Sequence, residues 1–371
     1  MRALLALVFM TLTLSAAEAQ APADGSVLDH YRAYRAAFDQ GDISGAEAPA
    51  QAALLASQTQ DGEGGRTGVL ALNLALVKLW LGKSAEAYEP ALLAVRIADT
   101  QGDASGVDPA LAQLTLGRAE MVSNPAQGAE RIEIALERIG DRTDLDEHAH
   151  AAALALGAWA RDQSSYDRAR RAFATAAVYA RGASNPAYSH AVARTAEGAL
   201  VIVADRRRHG RAAMREAYAI LTEAMEELWP LALVASEDNQ LTPAQRAFAR
   251  AMAWRSIAAD VGRPRGEDGD VQNLIGVVAC HYRISGTFGD LSRFYPARAL
   301  RRGDQGVIVV RVSFDQEGRA VGTQIAAGAP IDTFADSAAD LATQFRLVRT
   351  DNSPPNCVMP NARFFAINFR L

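Results

Sequence analysis

Gly306-Val307-Ile308-Val309-Val310-Arg311-Val312-Ser313-Phe314, followed by Asp315-Gln316-Glu317-Gly318-Arg319, is the stretch that decides how the C-terminal part of this chain folds. Val307, Val309, Arg311 and Ser313 alternate with Ile308, Val310, Val312 and Phe314, the period of two that sends successive side chains to opposite faces of a strand. Residues 315–318 form a four-residue polar loop with Gly near its end, the composition of a hairpin turn. Residues 321–327 would return antiparallel. Beyond them, 331–348 is expected as a helix with Phe334, Ala338, Leu341 and Phe345 on one stripe. Ser353-Pro354-Pro355 breaks it, and 363–371 makes a last strand alternating Phe365, Ile367, Phe369 and Leu371.

Ahead of this segment, from about residue 27 to 261, the period is helical and Ala fills the positions where helices would cross. Helix pairs are expected at 31–40 with 46–57, 71–81 with 85–99, 110–122 with 126–139, 148–161 with 166–181, and 187–207 with 211–229. Their turn centres fall near 41, 82, 124, 163 and 209, a period of about 40 that signals a solenoid of helix pairs. Tyr31, Tyr34, Phe38 and Gly41 at their spacing resemble the first helix of a tetratricopeptide repeat, and Tyr166, Ala169, Phe173 and Ala176 the second. The period exceeds the usual ~34 residues, so the array is tetratricopeptide-like, and a generic α-solenoid or helical bundle fits the same pattern. A helix at 243–259, with Thr242 as N-cap and Pro243 at the first helical position, is expected to close the array as a polar cap.

Tyr295-Pro296, Arg301-Arg302-Gly303 and Gly306 lead into the strand 307–314 and its turn at 315–319, and Phe345-x-Leu347 closes the helix. In this β-β-α-β order the segment from Phe294 to Leu371 resembles the C-terminal domain of the TonB family. The fold class expected is therefore an α-solenoid of tetratricopeptide-like helix pairs followed by a small β-β-α-β TonB-like domain. The resemblance implies partner binding by strand pairing, in which an edge strand joins a short peptide of its partner, conventionally an outer-membrane receptor. Carried over by position, Arg363, Phe365, Ile367, Phe369 and Leu371 form that edge. Domains of the family also pair with one another, so a homodimer is a second outcome that no residue here selects.

At the N-terminus, Arg2, the apolar run 3–14 and Ala17-Glu18-Ala19 have the layout of a cleaved secretory signal. Its apolar run is short of the ~20 residues that span a bilayer. The expected division is a signal peptide at 1–19, helical repeats at 26–261, a linker at 262–277 and the TonB-like domain at 278–371, in a periplasmic protein. Cys280 and Cys357 are the only cysteines, and in an exported protein such a pair is expected as one disulfide. Closing that loop would stabilise the domain by about 4 kcal/mol in the chain-entropy account. Two unpaired buried thiols are the alternative.

Net charge is −5. From Cys280 onward eleven Arg face eight acids, too weak an excess to argue for nucleic acid. No nucleophile elbow or phosphate loop stands out, and Ser164, Ser165 and Ser285 lack a hydrolase context. In Asp144-x-Asp146-Glu147-His148-x-His150, His148 and His150 point about 200° apart on a helix, so acids favouring a helix N-terminus is the better reading. Arg206-Arg207-Arg208-His209 is read as a solvated helix C-terminus. No metal, cofactor, small-molecule substrate or catalytic residue is expected. The function expected is a non-enzymatic periplasmic adaptor binding envelope proteins through a helical groove and strand pairing. The alternative is a TonB-type energy-transducing transport component that keeps a short N-terminal anchor. Against that alternative, the apolar N-terminus holds no His, and no Pro-rich spacer precedes the last domain.

Overall fold

The computed structural model describes residues 26–204, 210–233, 240–262, 282–285, 291–329, 331–351, 353, 357 and 361–370. The signal-peptide expectation, the linker beyond Gly262 and the 206–209 basic cluster lie outside these residues. The chain packs as two compact units that divide between Arg131 and Ile132.

The first unit holds α1 (Val27–Asp39), α2 (Ile43–Asp61), α3 (Gly65–Trp80), α4 (Ser84–Gln101), α5 (Pro109–Glu120) and the start of α6 (Pro125–Ile139). Helices α1 to α5 stack each on the next, as the helix-pair pattern requires. Ser26 and Asp29 cap α1 reciprocally, each side chain serving the other's backbone N–H. The turns after α1 and α3 close on Gly41 and Gly82 at φ 75° and 73°, a backbone that side-chain-bearing residues avoid. One core of Ala, Leu, Val and Ile runs through α1 to α5, and Tyr31, Phe38 and Trp80 pack against its edge.

The second unit begins with the rest of α6 and continues through α7 (Asp146–Asp162), α8 (Tyr166–Tyr179), α9 (Pro186–Ala204), α10 (Arg211–Ala232) and α11 (Pro243–Gly262). Small residues let these helices approach closely. A Cβ on Gly157 would meet the Phe173 ring at 2.9 Å, and one on Gly198 would meet Leu221 at 2.7 Å. Thr242 and Gln245 form the expected N-cap of α11, with the Gln245 N–H donating to the Thr242 hydroxyl at 3.1 Å.

The polar-cap expectation for α11 does not hold. Phe248 and Ala251 pack with Met225 and Leu228 of α10, while Ala249 and Ala253 pack on a β-sheet. Ala is the common element: it buries on either face without demanding volume, so a hydropathy reading finds no strong stripe on the second face. Within the second unit, α11 thus shares a core with the C-terminal strands.

Those strands are β1 (Tyr282–Ser285), β2 (Gly306–Phe314), β3 (Ala320–Ala329), β4 (Arg346–Arg349) and β5 (Ala362–Phe369), with two short helices, α12 (Ala297–Arg302) and α13 (Ile331–Ala342). The main sheet is antiparallel in the order β3-β2-β5. The β2–β3 hairpin turns at Gly318, where φ is 74°. On one face Ile308, Val310, Val312 and Phe314 join Phe334, Ala338 and Leu341 of α13. On the other, Val307 and Val309 face α11.

Two departures from the sequence reading concern short elements. The helix expected over 331–348 stops at Ala342, and 346–349 is a strand, β4. Phe345 and Leu347 are buried while Arg346 is exposed, a period of two, and the Leu347 N–H donates to Gly318 O at 2.7 Å. β4 pairs with β1, a strand that no sequence signal marked, from Tyr282↔Arg349 to Ser285↔Arg346.

Candidate partner-binding edge

β5 lies at one end of the sheet and pairs through Gly306↔Phe369 to Ser313↔Ala362 with β2. Among the described residues no strand pairs with its outer side. Edge strands present a row of backbone N–H and C=O groups that can template another strand.

Alternation distributes its side chains over two covered faces. Phe365, Ile367 and Phe369 point to the α13 side. Phe369 stacks on Phe334 with ring centroids 4.7 Å apart, and Phe365 meets Phe345 edge-on at 5.2 Å and Phe314 at 6.0 Å. Phe364 and Ala366 point to the α11 side, where Phe364 lies 5.6 Å from Phe248. Three of the five residues expected to read a partner are therefore core residues of the domain itself. Leu371 lies outside the described residues. Arg363 is half-buried with its guanidinium 5.7 Å from the Tyr282 ring centroid, and its Nε has no hydrogen-bond partner among the described residues. Asn368 and Arg370 are exposed at the end of the strand. Alternation in the sequence marked a strand and the family resemblance gave it the edge role, but neither could tell which of its side chains the domain would bury.

The lead-in fixes the sheet's position. Tyr295 stands edge-on to Phe334 at 5.6 Å and to Phe369 at 6.0 Å, and its hydroxyl donates to the Asp304 carbonyl. Burial, with Asp304 nearby, pushes that hydroxyl above its ordinary 10.0, so it stays a donor. At the hairpin, the Arg319 backbone N–H and then its guanidinium hold the Asp315 carboxyl below its ordinary range. This pair pins the turn that sets the β2–β3 register.

With this geometry in place, comparison with known families gives one result. Residues 292–370 match the family described as Gram-negative bacterial TonB protein C-terminal. The β-sheet domain is thus TonB-type, and the match covers its lead-in, hairpin, α13 and β5. No curated protein shows significant similarity to the chain.

In the first unit, a cavity of about 480 Å³ opens between α2, α3 and α4. Leu54, Leu74, Pro90 and Leu93 give it an apolar lining, and Lys78, Glu86 and Arg96 stand among them. Both cations of its lining are already paired: Lys78 Nζ lies 3.1 Å from Glu47 and 2.7 Å from Glu86, and Arg96 bonds Glu63.

The other sequence candidates have structural roles. Asp146 is buried and paired with Arg181. His150 is buried with Nδ1 2.7 Å from the Ala176 carbonyl, tying α7 to α8. Cys357 is half-buried and is not a free thiol; Cys280 lies outside the described residues. No described helix is long and apolar enough to cross a membrane.

Proposed function

We propose that this chain is a non-enzymatic adaptor of the cell envelope whose TonB-type domain takes an extended partner segment along β5. The observation that carries this reading is the placement of β5: both faces of the sheet are covered, by α13 and α11, and the strand ends the sheet. Binding then rests on backbone hydrogen bonds, and selection falls to Asn368, Arg370 and Arg363 rather than to the buried aromatics. The helical repeats hold a second partner, and the cavity between α2, α3 and α4 is the natural seat for one of its apolar side chains. A periplasmic location and a Cys280–Cys357 bridge belong to the same proposal.

The second reading, a TonB-type energy transducer, is favoured by the family match over 292–370. The two differ in the N-terminus: the adaptor is released as a soluble mature chain, while the transducer keeps residues 1–19 as an anchor. A photo-crosslinking residue at Asn368, introduced in cells, tests the edge directly. Under either reading it captures an envelope protein, and a matched probe at exposed Val321 on β3, at the opposite end of the sheet, does not. Equal labelling at both positions removes the strand-pairing proposal, while fractionation of the same cells separates adaptor from transducer.

A further inference from the structure

Beyond the edge strand, the facing sides of α9 and α10 bring together a set of side chains that the adaptor reading does not use. A ring nitrogen of His190 and one carboxylate oxygen from each of Glu223 and Glu227 lie within 4.8 Å of one another. Glu223 and Glu227 are one turn apart on α10, so both carboxylates leave the same face, and His190 meets them from α9. His190 Nδ1 stands 2.8 Å from Glu227 Oε2. His190 and Glu227 are half-buried and Glu223 is exposed, so the group is reachable from solvent while its ligands are held by helices.

The charge of the network around the cluster points the same way. Arg170 of α8 pairs with Glu216 and approaches Glu197; Arg194 of α9 pairs with Glu197 and Glu223. Two guanidinium groups thus serve four carboxylates once Glu227 is counted, leaving two negative charges when His190 is neutral. Arg194 serves the buried Glu197, so the excess falls on the half-buried Glu227 and the exposed Glu216 and Glu223. One divalent cation would cancel it.

We propose that His190, Glu223 and Glu227 form a binding site for a single divalent transition-metal ion of the zinc class, clamping α9 to α10. One imidazole with two carboxylates suits such an ion better than magnesium, which favours an all-oxygen octahedron. A tetrahedral ion about 2.1 Å from each ligand sets them roughly 3.4 Å apart. The His190–Glu227 gap opens to that value, and Glu223 reaches it by a rotamer change. Arg194 Nη2 now holds Glu223 at 2.8 Å, but Nη1 of the same guanidinium bonds Glu197. Arg194 therefore stays on the buried Glu197 as the metal takes Glu223. The fourth position is left to water.

The test is calorimetric titration of the full chain, without a polyhistidine tag and stripped by chelator, with zinc chloride and in parallel with magnesium chloride. The expected result is saturable binding of one zinc ion with a rise in Tm, and no comparable response to magnesium. His190→Ala and Glu227→Gln should each weaken zinc binding by about tenfold or more while the far-ultraviolet dichroism is unchanged. Glu223→Gln, at an exposed position, gives the same reading should either of the others perturb the fold. Absence of saturable zinc binding overturns the proposal, as does binding that all three variants retain; the cluster would then be a histidine–carboxylate pair only.

Discussion

Lys78 illustrates how this molecule handles charge at the scale of one residue. It is nearly buried in α3, and burial by itself would drive its ammonium toward neutrality. Hydrogen bonds to Glu86 and Glu47 more than offset that, so its pKa lies above the ordinary 10.5. Glu47 is the reciprocal case: Lys83 first, then Lys78, hold its carboxyl below the ordinary 4.5 against some burial. A depressed carboxylate contributes stability that is complete above its unfolded value and is lost as pH falls through the folded one. Urea unfolding followed against pH should therefore show the natural chain more stable than Glu47→Gln at neutral pH. The gap should close on acidification below about pH 4.5. A gap that persists undiminished at pH 2 would mean that Glu47 acts through packing instead.

At the scale of the element, α11 decides how the C-terminal sheet is held. Its Phe248 is 1% exposed, lies 5.2 Å from Trp229 of α10 and 5.6 Å from Phe364 of β5, and so links the helical layer to the strand that ends the sheet. Phe248→Ala removes contacts on both sides and should cost about 3–5 kcal/mol. In a denaturant titration, tryptophan fluorescence and far-ultraviolet dichroism should shift together, because one side chain serves both layers. Separate shifts in the two signals would show that α11 and the sheet do not share a core.

For the molecule as a whole, the consequence is that the TonB-type domain and the repeats from α7 to α11 form one unit. A truncation at residue 262 removes the cover from Ala249, Ala253 and Ile257 of α11. The shortened chain should bind a hydrophobic dye and lose helical signal beyond the residues deleted. An unchanged Tm with no dye binding would show that α11 stands without the sheet. By the same reasoning, deletion of β5 is an unsuitable test of partner binding. It would uncover Phe248 as well as removing the edge, which is why the crosslinking probe is placed at exposed Asn368.

Much of this architecture is dictated by patterns that a linear chain displays. Strand β2 and its turn follow from alternation and Gly318, and the helix pairs follow from 3.6-residue spacing punctuated by Gly41 and Gly82, because local backbone sterics act within a few residues. The TonB-type resemblance of the last domain was legible for the same reason, since its lead-in, hairpin and closing strand are consecutive. Tertiary structure alone decided three things. β4 exists because Gly318 and β1 offer backbone partners to 346–349, which no local preference reveals. α11 has two buried faces because Ala249 and Ala253 gain their burial from Val307 and Val309, more than fifty residues away. And His190 meets Glu223 and Glu227 only when α9 packs on α10: the i,i+4 spacing of the two acids is written in the sequence, whereas the approach of the imidazole is a matter of how two helices stack.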